Sequence, residues 1–262
     1  MRQTAFTCVV LAAVVALSQS LAETQGRGAE TQAPPPSPQA AAPIDLTGYW
    51  VAIVTEDWRW RMVTPPKGDY ASVPLNDAGR KVADTWDISK DGRCEAYGAP
   101  ALLRMPTRLR ITWESSSILR IDTDAGQQTR RLLFDKSRQP STAHSLQGYS
   151  LAEWERPARA GGGGGGGRGG GPQTGPAPGA NLKVLTTRLT GGWLRKNGVP
   201  YSEEAVITEY FDRFAAPNAE EWLAVTTIVT DPKYLNQDFV TSSHFKKEVD
   251  GSKWSPSPCK AG

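Results

Sequence analysis

The chain has 262 residues, 39% of them hydrophobic and 22% charged, with 26 Gly, 20 Pro and 9 Trp. That apolar fraction is too low for a multi-span membrane protein, and so many Trp argue against a wholly disordered chain. Thirty Lys plus Arg against 27 Asp plus Glu leave a net charge of +3, too balanced to require a nucleic-acid partner.

Residues 1–22 read as a secretory signal peptide, with Arg2 as the positive start, an apolar run from Ala5 to Leu17, and Ser20-Leu21-Ala22 as a small-x-small cleavage site. The run is shorter than the ~20 residues a spanning helix needs. The mature protein is therefore expected to be periplasmic or secreted, with no stable membrane insertion. Cleavage removes Cys8 and leaves Cys94 and Cys259, which in an exported chain are expected to form one disulfide. Residues 23–43, rich in Pro, Ala and Gln without a large apolar side chain, read as a flexible tether.

A single β domain is then expected over residues 44–259. An early strand at 48–55 precedes a 58–62 segment in which Trp58 and Trp60 would share one face and Arg59 and Arg61 the other. One short helix follows at 78–86, capped by Asn76 or Asp77. In residues 107–113, Leu109, Ile111 and Trp113 alternate with Arg108, Arg110 and Thr112, the period of a half-buried strand. Strands at 118–123 and 129–134 follow after hairpin-sized polar breaks. Residues 157–180 hold seven consecutive glycines (161–167) and several prolines. They match G-x-G-x-x-G trivially, but no strand-turn-helix frames them, so they read as a disordered insertion. Further strands at 182–189, 205–214, 221–230 and 239–247 are separated by Gly191-Gly192, Asn197-Gly198, Pro217-Asn218 and Asp231-Pro232, all turn chemistry. The fold class is thus mainly β. About eight short strands with turn-length links form one antiparallel barrel or sandwich, because parallel pairing needs crossovers.

The second half resembles a family of secreted bacterial proteins of unassigned function. The residues that carry the likeness are Cys94-x3-Gly98-x-Pro100, Met105-Pro106, the run from Gly148 to Glu155, the run from Leu194 to Glu203, Thr208-Glu209-Tyr210-Phe211-Asp212-Arg213-Phe214, the segment from Thr226 to Tyr234, and the closing Trp254 and Cys259. The resemblance implies a lipocalin-like, or calycin-like, antiparallel barrel and supplies no catalytic residues. Relatives continue past Glu155 with Gly-Asp and an apolar strand, where this chain turns into Arg156-Pro157 and the glycine tract.

With only His144 and His244, and no H-E-x-x-H or H-x-H, no metal site is expected. Gly148-Tyr149-Ser150-Leu151-Ala152 lacks the second glycine of a nucleophile elbow. His244 reads either as a hydrogen-bonded structural residue or as a general base or ligand-orienting donor. Glu153 and Glu155 should share one face, most simply a solvated one. Glu209 and Asp212 should lie on opposite faces, so that one points inward and needs a partner such as Arg188 or a neighbour of Arg213. The catalytic candidates are His244, His144 and Glu209. Trp58, Trp60, Tyr210 and His244 are the candidate ligand contacts, although Trp58 and Trp60 read more simply as core. The expected function is binding of a small, largely apolar molecule without cofactor in a hollow barrel. A cofactor-free lyase, isomerase or hydrolase on the same scaffold, and an interaction protein with a filled barrel, are the alternatives.

Overall fold

The alternation read in the sequence is realised strand by strand in the computed structural model, which describes residues 34–90, 94–138, 143–155 and 180–259. The signal segment, most of the tether and nearly all of the glycine insertion lie outside the described residues. Pro36–Gly262 form one unit, to which every contact below belongs. Its strands are β1 (Gly48–Ile53), β2 (Arg108–Ser115), β3 (Ile118–Thr123), β4 (Ala125–Gly126), β5 (Thr129–Leu133), β6 (Tyr149–Glu155), β7 (Asn181–Thr187), β8 (Gly192–Arg195), β9 (Val199–Tyr201), β10 (Val206–Ala215), β11 (Glu221–Thr230), β12 (Phe239–Glu248) and β13 (Ser257–Pro258). Nine of them close into a barrel in the order β1-β12-β11-β10-β7-β6-β5-β3-β2.

The wall is antiparallel with one exception. Strands β5 and β6 run parallel and pair at only two positions, Leu132 with Ser150 and Leu133 with Leu151. The link between them, described over 134–138 and 143–148, is anchored where Ala99 N–H donates to the Leu146 carbonyl and the Gln147 amide donates to the Tyr97 carbonyl. A parallel pair needs such a crossover, and no hairpin-sized link could make it.

Inward positions carry Trp50, Leu109, Ile111, Leu119, Ile121, Leu132, Leu182, Val184, Phe211, Leu223, Val225 and Phe245, none more than 1% exposed. A cavity wide enough for water would leave its lining with accessible area, so these side chains fill the barrel. The expected hollow interior is therefore corrected. Among them lies the ion pair of Arg130 on β5 and Glu209 on β10, both side chains 0% exposed. The guanidinium forks onto the carboxylate at 2.9 and 2.6 Å. Its Nη2 also donates to Thr186 Oγ1 at 3.3 Å, and Thr186 shares a 2.8 Å hydrogen bond with Ser150. As alternation predicts, Glu209 points inward and Asp212 outward, but the partner of Glu209 is Arg130 rather than Arg188.

One barrel end is closed by a second core, in which Ile207, Val229 and Phe239 meet Tyr70, Leu75, Ala83, Leu194, Val199 and Tyr201. Helix α2 (Asp77–Asp84) belongs to this cap; it comes after a single turn, α1 (Trp58–Arg61), and before α3 (Ala99–Leu102). Asn76 caps α2 through Oδ1, which accepts from Gly79 N–H at 2.9 Å. Gly79 itself cannot be larger, since a Cβ there would sit 2.5 Å from the Tyr234 carbonyl oxygen. The β8–β9 hairpin turns on Gly198, at φ +79, where Trp86 lies too close for any side chain. Cys94 and Cys259 are bonded, with Cα atoms 5.6 Å apart, clipping the end of the chain beside the β4–β13 pair.

Two further sequence expectations change. Residues 58–62 form the α1 turn instead of an extended segment, because β1 is already paired on both edges, with β2 and β12. The last residues read as tether, 37–43, form a turn against the barrel: Ser37 Oγ accepts from Ala40 N–H, and Pro38 O accepts from Trp154 Nε1 at 2.9 Å. Pro36 and Pro38 lower the entropy lost in ordering that segment. Among the described residues no helix is long and apolar enough to cross a membrane.

On the outer wall Asp122 gathers Arg110, Arg120 and Thr129 at 3.0, 2.9 and 2.6 Å. Burial alone would raise its carboxyl, but these donors hold it below the usual range. A depressed acid contributes stability that is present above its unfolded pKa and lost as pH falls through the folded one. Asp122→Asn should therefore cost roughly 1–3 kcal/mol at pH 7. In urea unfolding monitored by circular dichroism, the gap to the parent should close below about pH 4.

Candidate functional site

On the outer wall where β1, β12, β11 and β10 lie side by side, the registers bring outward side chains into one depression. Ile53 faces His244, His244 faces Ala224, and Phe214 faces Trp222. Ala224 is small, so its neighbours stand above it as walls. The β10–β11 turn forms the rim: Ala216 N–H donates to the Glu220 carbonyl, and Ala219 takes the left-handed backbone at φ 62 that tightens the bend. The result is an open groove of about 520 Å³ lined by Ile53, Thr55, Phe214, Ala216, Pro217, Asn218, Glu220, Trp222 and His244. Phe214 is 48% exposed, which is unusual for a large aromatic on a strand with no partner over it among the described residues.

The polar end of the groove is His244 with Glu56. The His244 Nδ1 lies 2.6 Å from Glu56 Oε1. A carboxylate at Nδ1 places the proton on that nitrogen and leaves Nε2 as the ring atom that meets a ligand. Burial would raise the Glu56 carboxyl, yet its own backbone N–H, the Thr55 hydroxyl and His244 hold it below the usual carboxylate range. The carboxylate is therefore ionised at neutral pH and fixes the imidazole. Its second oxygen is 3.6 Å from Arg61 Nη1, so Glu56 stands between the groove and the α1 turn. Lys246 and Glu220 close the far side with an ion pair.

A carboxylate-held imidazole is equipped to accept or donate a proton. The groove, however, is open to water, and no second histidine or cysteine lines it. The arrangement suits recognition: two aromatic faces, an aliphatic wall and one oriented polar atom.

The sequence candidates do not converge. His244 lines the groove. Trp58 lies on α1, 63% exposed, and Trp60 donates through Nε1 to Asp69 Oδ2 at 3.1 Å. Tyr210 faces outward into a separate groove of about 450 Å³ with Lys183, Leu185 and Lys136. His144 bonds through Nδ1 to the Leu189 carbonyl at 3.0 Å. Glu209 is sealed inside the barrel, beyond reach of a substrate. Glu153 and Glu155 each face a lysine, Lys136 and Lys183, as solvated strand carboxylates. Among the described residues, no group of three or more His, Cys, Asp or Glu is placed to hold a metal.

Sequence reasoning missed Phe214, Trp222, Ile53 and Glu56. The signal for the first two was present: a tight turn flanked by aromatics at outward positions of the alternation. Glu56 gave none, because it lies in the link after β1. No known protein family, curated protein or solved structure matches the chain.

In a carbon-detected NMR titration the Glu56 carboxyl should titrate below an ordinary glutamate. His244→Ala removes both a charge and a hydrogen bond that depress it, so Glu56 should then titrate at higher pH. An unchanged midpoint would show that the two do not interact.

Proposed function

We propose that this is an exported, lipocalin-like barrel that binds a small, largely apolar molecule on its outer wall without cofactor. The observation that carries the reading is the exposed Phe214 beside the half-buried Trp222, set next to a histidine fixed by Glu56. Solvated aromatic faces flanking one oriented polar group are what a small ligand with a single hydrogen-bonding atom needs. The filled interior moves this site outside the barrel, where the sequence reading had expected it within. The Cys94–Cys259 bond supports an oxidising compartment. In this reading the partner is a small molecule, neither nucleic acid nor bilayer. The His244–Glu56 pair favours a second reading, in which the same groove moves a proton on the bound molecule.

The neutral fluorophore Nile red serves as a probe. Phe214→Ala, a change at an exposed position, should weaken its binding about tenfold, the equivalent of one aromatic contact of about 1.4 kcal/mol, with little change in melting temperature. Undiminished binding in both Phe214→Ala and Trp222→Ala would remove the groove from the account. A hit from a metabolite screen that is converted by the parent protein and not by His244→Ala would establish the second reading.

A further inference from the structure

A second feature, which shares only Glu56 with the groove, lies between the α1 turn and the β8–β9 hairpin. Arg195 ends β8 and is 3% exposed, yet its Nε, Nη1 and Nη2 are all buried without a hydrogen-bond partner. Its guanidinium instead lies 4.7 Å from the centre of the Trp60 ring, which Arg59 also approaches at 4.8 Å. Arg61, 7% exposed, donates through Nε to the Arg104 carbonyl at 2.8 Å, and its Nη2 is buried and unpartnered. Arg104, 6% exposed, donates to Asp57 Oδ2 at 2.9 Å.

Of the acids beside this cluster, Asp57 accepts from Arg104 and Asp69 from Arg59 and Trp60, while Glu56 holds His244 with one oxygen and keeps its other, buried and without a hydrogen bond, 3.6 Å from Arg61 Nη1. Four guanidiniums thus stand against three carboxylates, and the surplus positive charge falls on Arg195. A buried guanidinium with five unmet N–H donors is far from its best state, because desolvation is costly unless paired charge and hydrogen bonds offset it. The planar fork of arginine matches a two-oxygen anion, and the neighbouring indole offers an apolar face beside it.

We propose that Arg195 is the base of a binding site for a singly charged carboxylate group, seated between the α1 turn and the β8–β9 hairpin beside Trp60. One carboxylate balances the surplus charge and, held in the guanidinium fork, meets two of the orphaned donors. A dianion such as phosphate would overshoot the charge. The α1 turn is the movable wall: its outer face, Trp58, Met62 and Val63, is exposed, and it begins at Asp57, a non-glycine residue held at φ 53. Burial, and then Arg104 nearby, pulls Arg195 down to about 10, so it stays cationic at neutral pH and available to an anion.

The test uses the full chain in thermal unfolding with acetate, benzoate, a tripeptide free acid, its amide and inorganic phosphate, each compared with chloride at equal ionic strength. The expected result is a rise in melting temperature of about 5–10 °C at 100 times Kd for a carboxylate, absent in Arg195→Met and intact in Phe214→Ala. Response to acetate or benzoate identifies a small-molecule acid. Response to the peptide acid alone, and not to its amide, identifies a polypeptide terminus. In either case the Arg195 Nε–H NMR signal of the parent protein should shift on binding, a readout that does not depend on the variant folding. No response beyond chloride, a response that survives Arg195→Met, or a preference for phosphate would each overturn the proposal. Because the Phe214 groove is tested by Nile red, failure of one site leaves the other standing.

Discussion

The bond between Arg130 and Glu209 ties the barrel together where its backbone is weakest. The β5–β6 seam has only two paired positions, and Arg130 sits on β5 beside it. From there its guanidinium reaches Glu209 on β10 and Thr186 on β7, and Thr186 reaches Ser150 on β6. Four strands that the ladder joins unevenly are thus joined a second time from within. The pair is not automatically stabilising in total, since desolvating both charges cancels much of their attraction. Its effect is conditional: with both partners present the interior is satisfied, and with one removed a charge is stranded among Phe211, Val184 and Leu132.

Side chains and an ion pair occupy the space that a hollow lipocalin-like barrel would leave for a ligand. The two proposed binding sites therefore lie outside the barrel interior. Glu56 is the common element, touching His244 of the aromatic groove with one oxygen and nearing Arg61 of the arginine cluster with the other. The link between β1 and α2 supplies Glu56 and Arg61, while His244 comes from β12 and Arg195 from β8.

Much of the fold could be read directly. Strands β3 and β11 begin and end where alternation and turn residues placed them, and of the two caps the sequence offered, Asn76 and Asp77, it is Asn76 that caps the helix. Where the reading failed, the cause was non-local. Trp58-Arg59-Trp60-Arg61 alternates as a strand would, but four residues also fit one helical turn. The choice was made by the absence of a free edge next to β1 and by the Arg104 carbonyl that captures Arg61. The parallel seam depends on a crossover whose anchors, Leu146 on Ala99 and Gln147 on Tyr97, are far apart in sequence. Likewise the periodicity turned Glu209 inward, but nothing local named Arg130, 79 residues away, as its partner. In the site, His244 was visible as chemistry; Phe214 and Trp222 were passed over although the alternation turns them outward, and Glu56 became visible only in three dimensions.

A double-mutant cycle on Arg130 and Glu209, read by urea unfolding, tests the central claim most directly. Arg130→Met and Glu209→Leu should each cost about 3–5 kcal/mol, while the double variant loses far less than their sum because no charge is left stranded. Additive losses, or single variants as stable as the parent, would contradict an interior organised around that pair.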